Sequence, residues 1–246
     1  MNERRMKILE DLSEKNSLSV KELSKMHKVS QVTIRNDLKY LEERGLLRRH
    51  HGGASSEKIA HRLDENYEAK LRIAERAAKM VEPGETIMIE SGSTNALLAR
   101  TLGETKPVSV ITNSFFIANF VKDLPNIRTT VLGGDYQPES EACIGPLTKQ
   151  SLQSFFVDKL FIGTDGFTEN IGFSCIDLQR AEIAVEMSKR ANKAIILTDS
   201  SKFKLRSVAK QLDVSEVSTV ITDNGIDHAS SEFLQKSGIE LIIVNL

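Results

Sequence analysis

Cysteines are scarce in this 246-residue chain, and long apolar runs are missing from it. Cys143 and Cys175 lie far apart and show neither a CxxC pair nor Cys/His zinc spacing, so we expect no disulfide framework, no metal and no other cofactor. No stretch approaches the roughly 18 to 20 uncharged apolar residues that span a membrane, and the N-terminus has no apolar signal core. We therefore expect a soluble, cytoplasmic protein without a membrane partner.

The net charge of −1 conceals an uneven distribution. Residues 1–54 carry 12 lysines and arginines against 8 acidic residues, whereas the remaining residues carry 21 against 26. Only the N-terminal part offers a net attraction to a phosphate backbone. A chain of this length that is 40% apolar and has no low-complexity tract fits either one large domain or two ordinary ones. We predict two: a head over residues 1–56 and a body over residues 68–246, joined by a linker over residues 57–67.

Two short helices are predicted at the start of the head. Apolar residues at helical spacing indicate the first helix between Asn2 and Lys15. Ser19 and Glu22 have the spacing of a capping box, which begins a second helix that ends near His27. The residues predicted to face the core from these helices are Met6, Ile8, Leu9 and Leu12, followed by Val20, Leu23 and Met26.

A third helix follows a tight turn and has two different faces. Ser30 can cap this helix. The residues predicted on its inward face are Val32 or Val29, Ile34, Leu38 and Leu41. The opposite face carries Gln31, Thr33, Arg35, Asn36 and Lys39. Gln, Asn and Arg have the donor and acceptor geometry that reads base edges in a major groove, and Thr and Lys can hold phosphates. An ordinary solvated face is the alternative for this helix taken alone.

A basic hairpin, or wing, is predicted after the third helix. Apolar and basic residues alternate there before two glycines that suit a sharp turn. His50 and His51 could alternatively bind a metal, but no third ligand lies nearby, so contact with phosphates or the minor groove is preferred. The predicted DNA-binding residues are Ser30, Gln31, Thr33, Arg35, Asn36, Lys39, Arg48, Arg49, His50, His51 and Gly52.

The segment from Arg4 to Ala54 resembles the DeoR family of bacterial regulators. The resemblance rests chiefly on residues 33–38, Thr-Ile-Arg-Asn-Asp-Leu, and on residues 51–54, His-Gly-Gly-Ala. It implies a winged helix-turn-helix in which Thr33, Ile34 and Arg35 lie on the recognition helix and the second segment closes the wing. Members commonly carry arginine where this chain has Asn36, so a relative's operator sequence cannot be borrowed.

Short apolar runs alternate with helical stretches in the body. A helix is predicted over residues 68–81, before Pro83 and Gly84. Buried strands are predicted over residues 86–89, 108–111, 130–132, 160–162, 194–197, 217–221 and 241–244. This alternation is typical of an α/β domain with a mostly parallel sheet covered by helices. Ligands bind at the carboxyl ends of the strands in such sheets.

Small polar residues follow five of the predicted strands. Ordinary turns explain any one of these segments, but five at one edge of a sheet indicate a binding site. Ser91 to Thr94 run directly into a helix whose start can hold an anion, and Lys202 is a candidate counter-charge. The predicted effector-binding residues are Glu90, Ser91, Gly92, Ser93, Thr94, Thr112, Asn113, Ser114, Gly133, Gly134, Asp165, Gly166 and Lys202.

The body in turn resembles the DeoR-type sensor domain. The matching segments are Gly92 to Thr94, Thr112 to Ser114, Gly133 to Gly134 and Asp199 to Phe203. This resemblance implies kinship with the ribose-phosphate isomerase fold, in which a comparable Gly-Ser-Thr loop holds a sugar phosphate. The implied effector is a phosphorylated sugar or a similar metabolite.

The two resemblances favour a transcription regulator, a repressor of sugar or related carbon metabolism genes. It is expected to bind double-stranded operator DNA as a homo-oligomer, either a dimer or a tetramer, and to have no enzymatic activity. One alternative is an active sugar-phosphate isomerase with an attached head, which would use Glu90, Asp165 or Asp199 as a base and Lys202 as an electrophile. Another is a structural DNA-binding protein with an inert body.

Overall fold

The structure is a computed structural model that describes residues 3–15, 17–42, 47–50, 53–55, 62–63 and 65–246. The chain divides into two compact units, Met1–Tyr67 and Glu68–Leu246. His51, Gly52 and residues 57–61 and 64 of the predicted linker lie outside the described residues. No helix within the described ranges is long and apolar enough to cross a membrane.

The head contains three helices and a small antiparallel sheet. The helices are α1 (Glu3–Lys15), α2 (Val20–Met26) and α3 (Gln31–Glu42), and the strands are β1 (Ser17–Ser19), β2 (Arg48–His50) and β3 (Gly53–Ser55), in the order β1-β3-β2. The Glu22 amide donates to Ser19 Oγ at 3.2 Å, and the Ser19 amide donates to Glu22 Oε2 at 2.8 Å. The predicted capping box therefore begins α2.

Three apolar residues predicted to face the core of the head are exposed instead. Met6, Met26 and Val32 expose 44%, 39% and 63% of their surface. Met6 lies to one side of the buried stripe of α1, and Met26 is the last residue of α2, where the chain leaves the helix. Val32 points away from the core because two residues along an α-helix rotate by roughly 200°, which places it opposite the buried Ile34.

A buried carboxylate joins α1 to α3. Asp37 is 1% exposed, and its two carboxylate oxygens accept hydrogen bonds from Arg4 Nε at 2.6 Å and Arg5 Nε at 2.7 Å. The Arg5 guanidinium also lies 3.7 Å from the centre of the Tyr40 ring. Burial tends to raise the pKa of Asp37, but the two arginines hold that pKa below its ordinary value.

The body alternates strands and helices. Its strands are β4 (Thr86–Ile89), β5 (Val108–Thr112), β6 (Ile127–Val131), β7 (Asp135–Gln137), β8 (Ala142–Ile144), β9 (Val157–Ile162), β10 (Gly166–Thr168), β11 (Gly172–Cys175), β12 (Ala191–Leu197), β13 (Ala209–Leu212), β14 (Thr219–Asp223) and β15 (Glu240–Val244). Its helices are α4 (Tyr67–Ala78), α5 (Ser93–Thr105), α6 (Phe115–Val121), α7 (Gly145–Leu152), α8 (Leu178–Ser188) and α9 (His228–Lys236), of which α4 begins at the last residue of the first unit.

The centre of the body is a seven-stranded sheet with the strand order β15-β14-β12-β9-β4-β5-β6. All neighbouring strands of this sheet are parallel. The predicted α/β fold class is confirmed, and each predicted strand is present. The two edge strands, β6 and β15, are only partly buried, because each has a neighbour on one side alone. Two small antiparallel sheets, β7-β8 and β10-β11-β13, have strands too short to give a visible alternation in the sequence.

Acidification should weaken the head through Asp37. A carboxyl group whose pKa is lower in the folded state stabilises the fold fully above its unfolded pKa of about 4, and this contribution is lost as the pH falls through the folded pKa. We expect the urea midpoint, followed by far-ultraviolet circular dichroism, to fall more steeply below about pH 5 for the wild-type chain than for Asp37→Asn. Parallel pH profiles for the two proteins would contradict this role of Asp37.

Candidate functional site

The polar face predicted for α3 is the exposed face of this helix. Gln31, Arg35, Asn36 and Lys39 are exposed, and Thr33 is half-buried. The exposed Ser30 precedes the helix, and its Oγ accepts a hydrogen bond from the Thr33 amide at 3.1 Å. Amide and guanidinium groups on one accessible helix face have the chemistry needed to read base edges in a major groove.

The predicted wing is an antiparallel hairpin of β2 and β3. Arg48 pairs with Ser55, Arg49 with Ala54 and His50 with Gly53. Three consecutive basic residues therefore occupy one strand of a hairpin that follows α3 in the chain. The predicted turn residues His51 and Gly52 lie outside the described part of the head.

The order of the strands reverses at β4. Strands β5 and β6 lie on one side of β4, whereas β9, β12, β14 and β15 lie on the other. The loops that follow two strands at such a reversal diverge to opposite faces of the sheet and leave a crevice between them. Residues 90–92 follow β4 and residues 163–165 follow β9, so two of the predicted binding segments border this crevice.

Helix α5 begins at the crevice without a side-chain cap. Its N-cap is Gly92, and no side chain bonds to its first turn. The amides of Ser93, Thr94 and Asn95 have no acceptor within the helix, because the first turn of an α-helix lacks preceding carbonyl groups. Helices α6 and α8, by contrast, start at the capping side chains of Ser114 and Asp177. The start of α5 therefore offers backbone donors and the positive end of a helix dipole to an anion.

The side chains of Ser91 and Asn113 hold the loop in place. The Ser91 amide donates to Asn113 Oδ1 at 3.2 Å, and Ser91 Oγ donates to the Ser140 carbonyl at 3.1 Å. Asn113 Nδ2 in turn donates to the Cys143 carbonyl at 3.1 Å. The amide and hydroxyl of Ser91 are thus engaged within the fold. Of the predicted anion-binding segment Ser91–Thr94, only Gly92–Thr94 keep donors for an anion.

Arg180 places a buried cation at this edge. Its Nη2 lies 3.7 Å from Glu90 Oε1, and its Nη1 lies 3.4 Å from Asp165 Oδ2. Burial lowers the pKa of Arg180, but the neighbouring carboxylates more than offset burial and keep it charged. Arg180 was not among the residues predicted from the sequence, although it shares the buried stripe of α8 with Ala184 and Met187, where a charge requires a buried partner.

Several amide groups surround this charge cluster. Asn95 Nδ2 donates to the Glu90 carbonyl at 2.8 Å, and Gln211 Nε2 donates to the Gly163 carbonyl at 3.1 Å. Among the described residues, Asn95 Oδ1, Gln211 Oε1 and Arg180 Nε are buried without a hydrogen-bond partner. Such groups are rare because each costs roughly 1 to 3 kcal/mol, so a further polar partner at this cluster would lower that cost.

Asp165 is fixed by two further donors. The Ile176 amide donates to its Oδ2 at 3.0 Å, and Cys175 Sγ donates to the same oxygen at 3.3 Å. Burial raises the pKa of the Cys175 thiol to about 12, and burial also raises the pKa of Cys143. Both cysteines are therefore protonated, unreactive thiols at neutral pH, and Cys175 serves to orient Asp165.

The remaining predicted residues lie at other strand ends. Lys202 follows β12, and β9 lies between β12 and β4. At the usual spacing of strands, the backbone of β12 is therefore about 10 Å from that of β4. Gly133 and Gly134 follow the edge strand β6, two strands away on the other side. Thr112 Oγ1 accepts from the Ser114 amide at 3.1 Å, and Gly166 begins β10. The structure thus links Glu90 to Asp165 through Arg180, and Ser91 to Asn113 by a hydrogen bond, whereas Lys202 lies at a more distant strand end.

Removing the buried cation should destabilise the body. Arg180→Met leaves the buried Glu90 and the partly buried Asp165 without their shared counter-charge, which we expect to cost about 3 kcal/mol of unfolding free energy in urea titration. Adding Glu90→Gln to this variant should recover part of the loss, because it removes one uncompensated charge. Arg100→Met is the matched control, since it breaks a surface pair with Glu104 and should cost under about 1 kcal/mol. Equal stability of Arg180→Met and Arg100→Met would contradict the ion cluster.

Comparisons with known proteins cover both parts of the chain. Residues 4–60 match the DeoR-like helix-turn-helix domain, and residues 65–224 match the DeoR C terminal sensor domain. The chain is 34% identical to the HTH-type transcriptional regulator GolR of Listeria innocua over 98% of each chain, and 30% identical to the L-fucose operon activator of Haemophilus influenzae over 99% of this chain and 100% of that one. Among solved structures, ribose 5-phosphate isomerase A of Methanocaldococcus jannaschii is similar to part of this chain. The match covers 56% of this chain and 55% of that one, with 26% identity and a TM-score of 0.41. The chain belongs to the DeoR family of transcriptional regulators.

Proposed function

We propose that this regulator represses genes of sugar or related carbon metabolism, and that a phosphorylated sugar-type effector controls its affinity for double-stranded operator DNA. The observation that carries the proposal is the uncapped start of α5 beside the buried Glu90–Arg180–Asp165 cluster, in a chain that also has an exposed recognition-type helix. The name of the L-fucose operon activator of Haemophilus influenzae supports a sugar-related role.

The head reads the operator in this proposal. The exposed side chains of α3 contact base edges and phosphates, with Arg35 as the central contact because it lies one turn into the helix. The wing strand with Arg48, Arg49 and His50 adds contacts to phosphates or the minor groove, together with His51 and Gly52 at its turn. The exposed amide and basic side chains of α3, and the three basic residues in the sequence of β2, support this assignment.

The body holds the effector at the crevice between β4 and β9. The phosphate binds the first-turn amides of α5 at Gly92–Thr94, where a helix terminus favours an anion by roughly 0.3 to 1 kcal/mol when exposed and by more when partly buried. The sugar hydroxyls bind Asp165, which is partly exposed, whereas the buried Glu90, Asn95 and Gln211 hold Arg180 and the loops after β4 and β9 in place. Arg180 is the nearer cation, whereas Lys202 must reach across β9 to take part.

An isomerase reaction fits this crevice less well than recognition does. A general base needs an accessible carboxylate with a pKa near the working pH. Glu90 is fully buried, and both Glu90 and Asp165 contact Arg180, so neither carboxylate is positioned to take a proton from a substrate. The arrangement therefore supports a sensor that binds its ligand without transforming it.

The effector changes DNA binding only if it has different affinities for the DNA-competent and DNA-incompetent forms. The same proposal includes a homo-oligomer, either a dimer or a tetramer, because two heads on one symmetric operator raise the affinity well above that of a single small interface. An inert body would leave operator affinity unchanged by any metabolite, which separates this proposal from that of a structural DNA-binding protein.

Arg35→Ala should weaken operator binding by about 1 to 3 kcal/mol, because it removes a guanidinium that reaches guanine or phosphate. Gel-shift titration at fixed salt, with folding checked by circular dichroism, measures the loss. Arg128→Ala is the charge-matched control, since Arg128 is exposed on the edge strand β6 of the body. If Arg35→Ala and Arg128→Ala both bound like the wild type, Arg35 would not be a DNA contact.

Gly92→Asp should abolish the response to the effector. Gly92 has an extended backbone, and an added Cβ would meet Asn95 Nδ2 at an ordinary 3.6 Å, so Gly92→Ala should fold and bind normally. Aspartate at the same position places a carboxylate where the phosphate binds, and it can itself cap α5, so the unliganded protein should lose no stability. Any loss of binding is then a direct effect on the site.

Thermal unfolding with a panel of sugar phosphates tests this substitution. At ligand near 100 times its dissociation constant, the wild type and Gly92→Ala should gain about 2.7 kcal/mol, whereas Gly92→Asp should gain nothing. The dephosphorylated sugars should stabilise none of the three proteins. Normal calorimetric binding of the phosphorylated ligand to Gly92→Asp would rule out the site.

A further inference from the structure

Val32 stands out on the DNA-facing side of the head. It is the second residue of α3 and exposes 63% of its surface, whereas Ile34, Leu38 and Leu41 of the same helix expose at most 1%. Arg35 and Asn36 lie three and four residues further on, so their side chains neighbour Val32 on the same helix face. A branched apolar side chain thus sits among groups that can form hydrogen bonds.

The head itself gives no reason for a valine at this position. An exposed valine leaves its two methyl groups in water, and its stiff, branched side chain is a poorer helix former than alanine. The neighbouring polar groups contact one another instead. Ser30 Oγ lies 2.9 Å from Thr33 Oγ1, and Arg35 Nη2 donates to Gln31 Oε1 at 3.4 Å. Val32 is therefore an apolar group that projects from the start of the helix, where recognition helices meet base edges.

We propose that Val32 contacts the C5-methyl group of a thymine in the operator half-site. Thymine is the standard base that presents an apolar group in the major groove, and apolar side chains recognise it by contact with that methyl group. The proposal rests on the DNA-binding role of the head and is independent of the effector site. It assigns to Val32 a preference for T over C that the polar residues beside it do not supply.

A deoxyuridine scan tests the contact, because deoxyuridine lacks only the methyl group of thymidine. The probe is a duplex that the full chain selects from a random-sequence pool, resynthesised with one thymine per half-site replaced at a time. Burying one methyl group is worth about three- to five-fold in affinity, equivalent to about 0.7 to 1 kcal/mol. We expect one position to show this loss with the wild type in fluorescence anisotropy at fixed salt.

Val32→Ala should bind the thymine duplex three- to five-fold more weakly and should no longer distinguish thymine from deoxyuridine at that position. Val32→Thr keeps one γ-methyl group and should retain sensitivity to the methyl group. Met6→Ala is the matched control, because Met6 is an exposed apolar residue of α1. It should bind both duplexes like the wild type.

Three results would overturn the assignment. The first is a scan in which no deoxyuridine weakens wild-type binding, and the second is a deoxyuridine effect that persists unchanged in Val32→Ala. The third is an equal loss by Val32→Ala on both duplexes, which would place Val32 against another group. Failure of the wild type to select any duplex would instead contradict the DNA-binding role on which the assignment rests.

Discussion

Parallel pairing of all seven strands of the body sheet determines where this protein can bind a small molecule. Each strand must return by a crossover to the same edge of the sheet, so all the loops after the strands collect at one side. The chain first builds β4, β5 and β6 in one direction and then places β9 and the later strands on the other side of β4. The reversal parts the loops after β4 and β9, and it brings Glu90 and Asp165 to the two sides of one crevice.

The ion cluster of Glu90, Arg180 and Asp165 lines the crevice. Its net contribution to the free energy of folding is small, although removing one of its partners is costly. Arg180 lies in the first turn of α8, where a helix dipole disfavours a cation, and it is removed from water. Glu90 and Asp165 compensate for both costs, but their distances of 3.7 and 3.4 Å are longer than those of a close ion pair. An apolar side chain in place of such a network often stabilises a protein as well or better. The proposed effector gives this cluster a role beyond folding.

Local signals in the sequence predict much of this fold. The capping box of Ser19 and Glu22 and the strand at Thr86–Ile89 depend on neighbours within a few residues, so both are visible in the sequence. The polar loop Gly92–Thr94 was found for the same reason, because it directly follows a strand, although its role as a binding site stays a prediction. Arg180 was missed because its partners lie 90 and 15 residues away in sequence. Either Val32 or Val29 was predicted to face inward, and Val32 is the exposed one of the two. The choice was open because a short helix with few apolar residues leaves its inward face ambiguous until its partner helices are known.

The buried carboxylate of the head sets the orientation of the reading surface. Asp37 points into the core and receives Arg4 and Arg5, so α3 cannot turn about its axis without breaking two hydrogen bonds between oppositely charged groups. Ile34, Leu38 and Leu41 are buried on the same side of α3 as Asp37, whereas Arg35 and Asn36 lie on the exposed side. Val32 lies one further turn toward the start of α3, on the same side as Arg35 and Asn36. The two arginines that hold Asp37 thereby also fix which side chains α3 exposes.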